Sequence, residues 1–324
     1  MKNILGIDIG YSNLKICAGP ANSRPVSHIR PAGAAPIDRV GTRFDGQEAR
    51  DLLRVRVRGE AFLAGIAPDQ ANHYSRSLHA DYSTSDTYRA LFHAGLLLSG
   101  MERIDPLITG LPVSQWFDLA RRERLGQQLT GRHEIAEGRT VRVERVKVIP
   151  QPVGGLLDYI SQTNLDLEDA RILVVDPGFF SVDWVVIARG DLQRDLSGSS
   201  LQASSVVLQE AARLISADCD SPLALEILEH ALRHGKSHIL MLGQRLELAG
   251  YLDRATARIA PAMVGAIQES LRTSGKMPDR VILVGGGADF FRGAVQAAFP
   301  RLRVETPQEA VFSNARGYWN LGDA

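Results

Sequence analysis

Residues Ile4-Leu5-Gly6-Ile7-Asp8-Ile9-Gly10-Tyr11-Ser12-Asn13-Leu14-Lys15 carry one acid inside an apolar run into a Gly-Tyr-Ser-Asn turn, and the chain returns apolar through Ile16 and Cys17. The pattern predicts a β-hairpin whose tip can hold phosphate. Gly10 lets the backbone approach an anion or take positive φ. Ser12 and Asn13 add donors beside turn N–H groups that can form an anion-binding concavity, and Lys15 adds a point positive charge. Asp8, just before the glycine, would repel a bare phosphate. Its fitting role is to hold a hydrated divalent cation that bridges to the phosphate. Taken alone, the stretch also reads as an ordinary hairpin with a polar turn.

Two further stretches bear on that choice. Residues Ile172-Leu173-Val174-Val175-Asp176-Pro177-Gly178-Phe179-Phe180-Ser181-Val182-Asp183-Trp184-Val185-Val186 repeat the design: apolar strand, acid, glycine turn with a hydroxyl, returning strand. Residues Val281-Ile282-Leu283-Val284-Gly285-Gly286-Gly287-Ala288 form a buried-type strand that empties into three glycines. Two like hairpins half a chain apart imply two similar halves facing one ligand.

In that order the three stretches resemble the phosphate-one, phosphate-two and adenosine motifs of the actin, heat-shock chaperone and sugar-kinase superfamily. Within it they look most like the ParM/StbA-type plasmid-segregation actin-like ATPases and the archaeal actin-like proteins. The resemblance implies an α/β, actin-like ATPase fold of two ribonuclease-H-like domains around a central nucleotide cleft. Domain I would take residues 1–153 and the end from about 305 to 324, with a variable insert near 31–83. Domain II would take 154–304, with a helical insert near 205–262.

The resemblance also assigns roles. Asp8 and Asp176 would organise Mg²⁺ through water. Gly10, Tyr11, Ser12, Asn13, Lys15, Gly178, Phe179 and Ser181 would line the phosphates of ATP or ADP, with Lys236 reaching the nucleotide. Gly285, Gly286 and Gly287 would pass beneath the nucleoside, and the helix opening at Ala288 would face its phosphates. At the junction Val148-Ile149-Pro150-Gln151-Pro152, Gln151 would orient the attacking water. Glutamine is no useful proton acceptor, so catalysis would rest on positioning and electrostatics. The sequence departs from the pattern at Gln151, where ParM-type chains are expected to carry Glu. It departs again at Phe179 and Phe180, where relatives carry Gly, Ser or Thr.

The implied activity is ATP hydrolysis coupled to head-to-tail filament assembly, used to move plasmid DNA through a DNA-binding adaptor. A non-polymerising nucleotide-switch scaffold and a small-molecule kinase are alternatives on the same fold. The kinase would need a base carboxylate aimed at an acceptor hydroxyl. Asp183 is the nearest, and strand alternation is expected to turn it away from Asp176.

Composition sets limits. A chain of 324 residues suits two domains of ordinary size. Its 37 basic and 37 acidic residues cancel, so no global field favours direct contact with nucleic acid or an anionic membrane. Cys17 and Cys219 lack metal-site spacing and fit a reducing cytoplasm. The chain enters a strand directly after Asn3, with no apolar run of bilayer length. A soluble cytoplasmic protein is expected.

Elsewhere, strands are expected at Val26–Arg30, Val40–Phe44 and Val55–Val57, with Arg54, Arg56 and Arg58 on one strand face, either solvated or against a neighbouring subunit or an acidic adaptor. His73, Tyr74, Arg76 and His79 read as a polar loop. Helices are expected at 84–103, opened by Thr84, Ser85 or Asp86, and at 114–129, 154–170, 206–217, 222–233 and 241–272. The serines from Ser197 to Ser205 read as a connection in preference to a contact with a sugar hydroxyl, and Tyr318 and Trp319 as core.

Overall fold

The apolar run around Asp8 forms β1 (Asn3–Ile9), which turns at Gly10 and returns antiparallel as β2 (Asn13–Pro20). The computed structural model describes residues 2–40, 52–67, 70, 81–163, 165, 167, 168, 170–272 and 275–324. The chain divides into two compact units, Met1–Leu167 with Thr306–Ala324, and Glu168–Glu305.

The first unit continues with β3 (Val26–Pro31), β4 (Gly33–Pro36), β5 (Leu53–Val57), β6 (Glu60–Ile66), α1 (Asp86–Ser99), β7 (Arg103–Ile104) and β8 (Leu107–Leu111). Then come α2 (Val113–Trp116), α3 (Leu119–Leu129), β9 (Gly131–Ala136), β10 (Arg139–Val143), β11 (Val146–Pro150) and α4 (Gln151–Thr163). Among the described residues its main sheet runs β11-β8-β1-β2-β3. β1 is apolar at both odd and even positions because both sheet faces are covered. Leu5, Ile7 and Ile9 join a core with Leu91, Phe92 and Leu96 of α1, whereas Ile4 packs with Tyr318 and Trp319 of the chain's last helix. Ser85 caps α1 by accepting the Tyr88 N–H, and Gly100 ends it in the left-handed region at φ 69°.

The second unit contains β12 (Arg171–Pro177), β13 (Val182–Ala188), β14 (Asp191–Leu192), β15 (Gly198–Ser200), α5 (Ser204–Cys219) and α6 (Leu225–Arg233). It ends with β16 (His238–Met241), β17 (Gln244–Glu247), α7 (Ala249–Arg272), β18 (Arg280–Leu283), α8 (Ala288–Ala298) and β19 (Val304–Glu305). Its sheet runs β14-β13-β12-β18-β19, with β15 also paired to β13. The helix α9 (Ser313–Asp323) then returns to the first unit.

Several expectations need correction. The helix after Gln151 ends at Thr163 and packs on α9 in the first unit, whereas the sequence reading gives residues from 154 onward to the second. The reason is backbone contact: a methyl group on Gly317 would lie 1.8 Å from the Gly154 carbonyl oxygen, so the two glycines seat α9 directly on α4. Tyr318 and Trp319 are buried, as expected.

Residues 238–247 form the hairpin β16–β17 in place of the start of a long helix. Leu242 and Gly243, at φ 51° and 76°, make the two-residue left-handed turn that suits the twist of paired strands. Arg58 is likewise a turn residue, at φ 52° beside Gly59 at 87°, and leaves the strand face it was to share with Arg54 and Arg56. Arg56 pairs with Glu134 at 3.0 Å and Arg58 with Asp86 at 3.3 Å, so part of this positive charge is met within the chain. His73, Tyr74, Arg76, His79 and the strand expected over Val40–Phe44 beyond Val40 lie outside the described residues. No helix among the described residues is long and apolar enough to cross a membrane.

Two buried imidazoles tie neighbouring elements of the first unit together. His93 of α1 donates from Nδ1 to the Arg56 carbonyl at 2.6 Å, and His133 of β9 donates from Nε2 to the Leu129 carbonyl at 3.0 Å. Burial, with nearby Arg89, holds both below the ordinary histidine value, His93 at about 4. Native His93 therefore stays neutral while the unfolded chain takes up a proton below pH 6.5. Stability is full above pH 6.5, falls as the pH drops, and levels off near pH 4. The expected loss is up to about 3 kcal/mol, read as the difference in urea midpoints between wild type and His93→Gln across that window.

Candidate functional site

The site is built from turns at strand ends. In the first unit, Gly10 N–H donates to the Asn13 carbonyl at 3.0 Å and closes the hairpin tip. Ala32 N–H holds the Ser12 carbonyl at 2.9 Å, and Asn13 Nδ2 reaches Ser12 Oγ at 3.4 Å. The register places Asp8 opposite Lys15, and their side chains pair at 3.0 Å with the carboxylate buried. The two residues assigned separate partners thus neutralise one another.

Gln151 is the first residue of α4, directly after β11, so the junction that carries it is the start of the helix. Pro152 suits this first turn because its missing N–H has no intrahelical acceptor there. A methyl group on Gly110 of β8 would come within 2.9 Å of Gln151 Cγ and 2.0 Å of Tyr318 Oη. The bare backbone of β8 is what lets both side chains lie across its end.

The second unit repeats the turn in three dimensions. Gly178 N–H donates to the Ser181 carbonyl at 2.8 Å, the counterpart of the Gly10 to Asn13 bond. Asp176 takes the place of Asp8, but its cross-strand partner is Asp183. Residues paired directly across a hairpin share a sheet face, so Asp183 points to the same side as Asp176. This corrects the expectation from alternation, which holds along one strand and says nothing about the pairing that the turn sets. Like charges opposed in this way destabilise a sheet unless met. Here Ser181 Oγ donates to Asp183 Oδ2 at 2.6 Å and Ser199 Oγ to Oδ1 at 2.5 Å. The Ser181 hydroxyl, expected on a phosphate, is turned to Asp183.

The glycine turn after β18 joins this group. Gly287 N–H donates to the Pro177 carbonyl at 3.0 Å. Gly285, at φ 80°, lies so close that a methyl group there would sit 1.9 Å from Asp176 Oδ1. At Gly287 a methyl would meet Pro177 O and Ser204 Oγ, each at 2.5 Å. The start of α5 closes the arrangement: Ser204 and Ser205 donate their amides to the carbonyls of Gly178 and Phe179, at 3.2 and 2.9 Å. The serine-rich stretch read as a connection therefore braces the hairpin. Its only sequence signal was the density of hydroxyls.

Of the remaining candidates, Gly286 lies in the same turn and Ala288 opens α8 immediately after it, buried. Lys236 sits exposed in the turn after α6, its amide on the Ala231 carbonyl at 2.8 Å. The structure brings together Asp176, Gly178, Phe179, Ser181 and the Gly285–Gly287 turn in one unit, and Asp8, Gly10, Tyr11, Ser12, Asn13 and Lys15 in the other.

Residues 6–154 match the N-terminal domain model of actin-like proteins, and residues 174–297 the C-terminal model of the archaeal, MreB-like actin homologues. No curated protein matches the sequence. Among solved structures, the archaeal actin homologue Ta0583 in complex with ADP is 19% identical with a TM-score of 0.75, covering 99% of both chains. A 15-stranded ParM filament from Clostridium botulinum is 16% identical at TM-score 0.76, again over 99% of both chains. Bacillus thuringiensis ParM with AMPPNP is 15% identical at TM-score 0.65, covering 99% of this chain and 98% of the other. With the N-terminal model matched over residues 6–154, the C-terminal model over 174–297 and the fold shared with these solved structures, the chain is similar over most of its length to the actin-like proteins.

Proposed function

We propose that the protein is an ATP hydrolase that assembles head-to-tail into nucleotide-dependent filaments. The observation that carries the reading is the duplicated acid-and-glycine turn, closed by the same hydrogen bond in each unit and packed, in the second, against Gly285 and Gly287. The ADP and AMPPNP complexes of the archaeal and Bacillus relatives support nucleotide as the ligand, and the Clostridium filament supports assembly.

In this reading Gly10, Tyr11, Ser12, Asn13 and Lys15 hold phosphate, as do Gly178, Phe179 and Ser181. The turn Gly285–Gly287 and the start of α8 at Ala288 lie against the nucleoside, with Lys236 reaching toward it. The buried carboxylates of Asp8 and Asp176 each offer the hard oxygen donors a hydrated Mg²⁺ prefers. When bound, the ion neutralises phosphate charge. Gln151, held at the start of α4, orients water by hydrogen bonding. Assembly is of the open, heterologous kind. Its use is plasmid segregation in the cytoplasm, through a DNA-binding adaptor.

A second reading, transfer of phosphate to a small acceptor, gains from Asp183 lying on the same face as Asp176. It is disfavoured because both Asp183 oxygens already accept serine hydroxyls. Light scattering, pelleting and phosphate release from purified protein, with and without Mg-ATP, separate the readings. Phosphate release with nucleotide-dependent pelleting is expected. Release without assembly at high protein concentration overturns the filament, and release that depends on an added acceptor favours the kinase.

A further inference from the structure

The Gly10 turn is anchored at its ends by the Gly10 to Asn13 bond and by Ala32 on Ser12. Tyr11, between those anchors, lies face to face with Tyr82, ring centroids 4.6 Å apart and planes inclined 26°. Tyr82 in turn meets Tyr88 edge to face at 5.5 Å and 89°. Ser85 links the backbones of Tyr82 and Tyr88: its hydroxyl donates to the Tyr82 carbonyl at 2.7 Å and accepts the Tyr88 N–H at 3.1 Å. Tyr82 and Tyr88 are both buried. Burial pushes the Tyr88 phenol far above its ordinary value, so it stays neutral beside Asp8.

We propose that Tyr82 is a positioning residue for the Gly10–Asn13 turn, its backbone held by Ser85, its ring packed on Tyr88 and stacked on Tyr11 so that the turn keeps one conformation. The stack carries this role. The Tyr82 hydroxyl lies 3.5 Å from the Gly10 carbonyl, too far for a strong hydrogen bond. Stacked and edge-to-face aromatic pairs add favourable energy beyond their burial. The functional consequence, a turn pre-shaped for phosphate, rests on the ATPase reading above; the positioning itself does not.

Hydrogen exchange of the whole protein without nucleotide tests the positioning directly. In Tyr82→Leu, and in the half-buried Tyr11→Ala, the amides of residues 10–13 are expected to exchange roughly two- to tenfold faster, with the amides of β1 and α1 unchanged. Tyr82→Phe keeps the stack and is expected to match wild type. Mg-ATP dissociation constants should weaken by a similar factor in the two disruptive variants and not in Tyr82→Phe. Wild-type exchange at residues 10–13 in both Tyr82→Leu and Tyr11→Ala overturns the proposal, as does loss of protection in Tyr82→Phe. A wild-type protein that binds no Mg-ATP, with faster turn exchange in the variants, sinks the ATPase reading and leaves the positioning standing.

Discussion

Replacing Asp176 by alanine is expected to lower phosphate release at least about a hundredfold, the scale on which a charge-positioning group acts in a reaction of this type, while the chain stays folded. The two outcomes have one cause. Asp176 is set opposite the Asp183 carboxylate on the same sheet face and beneath Gly285. Two like charges so placed repel, so removing one offsets part of the loss of the packing that the side chain supplied. Asp8→Ala is expected to behave differently, because it leaves the largely buried Lys15 without its 3.0 Å partner and so lowers stability as well as activity. Phosphate release measured beside thermal midpoints for both variants checks the asymmetry. An Asp176→Ala protein that hydrolyses ATP near the wild-type rate would remove the residue from the mechanism.

The largest effect on stability is expected at the seam between α4 and α9. Arg316 grips Asp158 with two parallel hydrogen bonds of 2.9 Å each, and the Asp158 side chain is 2% exposed. Burial opposes the guanidinium charge, yet the bonded carboxylate outweighs it and raises the Arg316 pKa. Truncation to Ala leaves a buried carboxylate uncompensated, at a cost of about 3–5 kcal/mol, a large share of the ~5–15 kcal/mol that holds a domain together. Urea unfolding of Arg316→Ala measures it. The cost is expected to shrink in the double variant Arg316→Met with Asp158→Leu, since well-packed apolar residues replace a buried pair with little loss. Equal destabilisation in the single and double variants would show that packing alone, not the charge, holds the seam.

Much of this molecule was readable in the order of its residues. The apolar strands around Asp8 and Asp176 and the glycines after Val284 have strong local causes: apolar runs select strands, and glycine alone tolerates the backbone conformation and close approach found at Gly285. These local patterns, met three times in one order, implied the actin-like fold. Pairing, by contrast, is decided across the chain. Nothing local told that Asp183 would share a face with Asp176, because a side chain's face follows from hairpin register. Nor did it tell that Lys15 would meet Asp8, that Ser199 and Ser204 would close around the second turn, or that Tyr82 would stack on Tyr11. The helix after Gln151 falls in the other half than its sequence suggests for the same reason, since its partner α9 lies over a hundred residues away in the chain. Sequence by itself determined which segments form strands, turns and helices here, because those preferences act over a few residues. Tertiary structure alone decided which charges are neutralised and which stand opposed, because burial and distance between side chains exist only once remote segments are packed together.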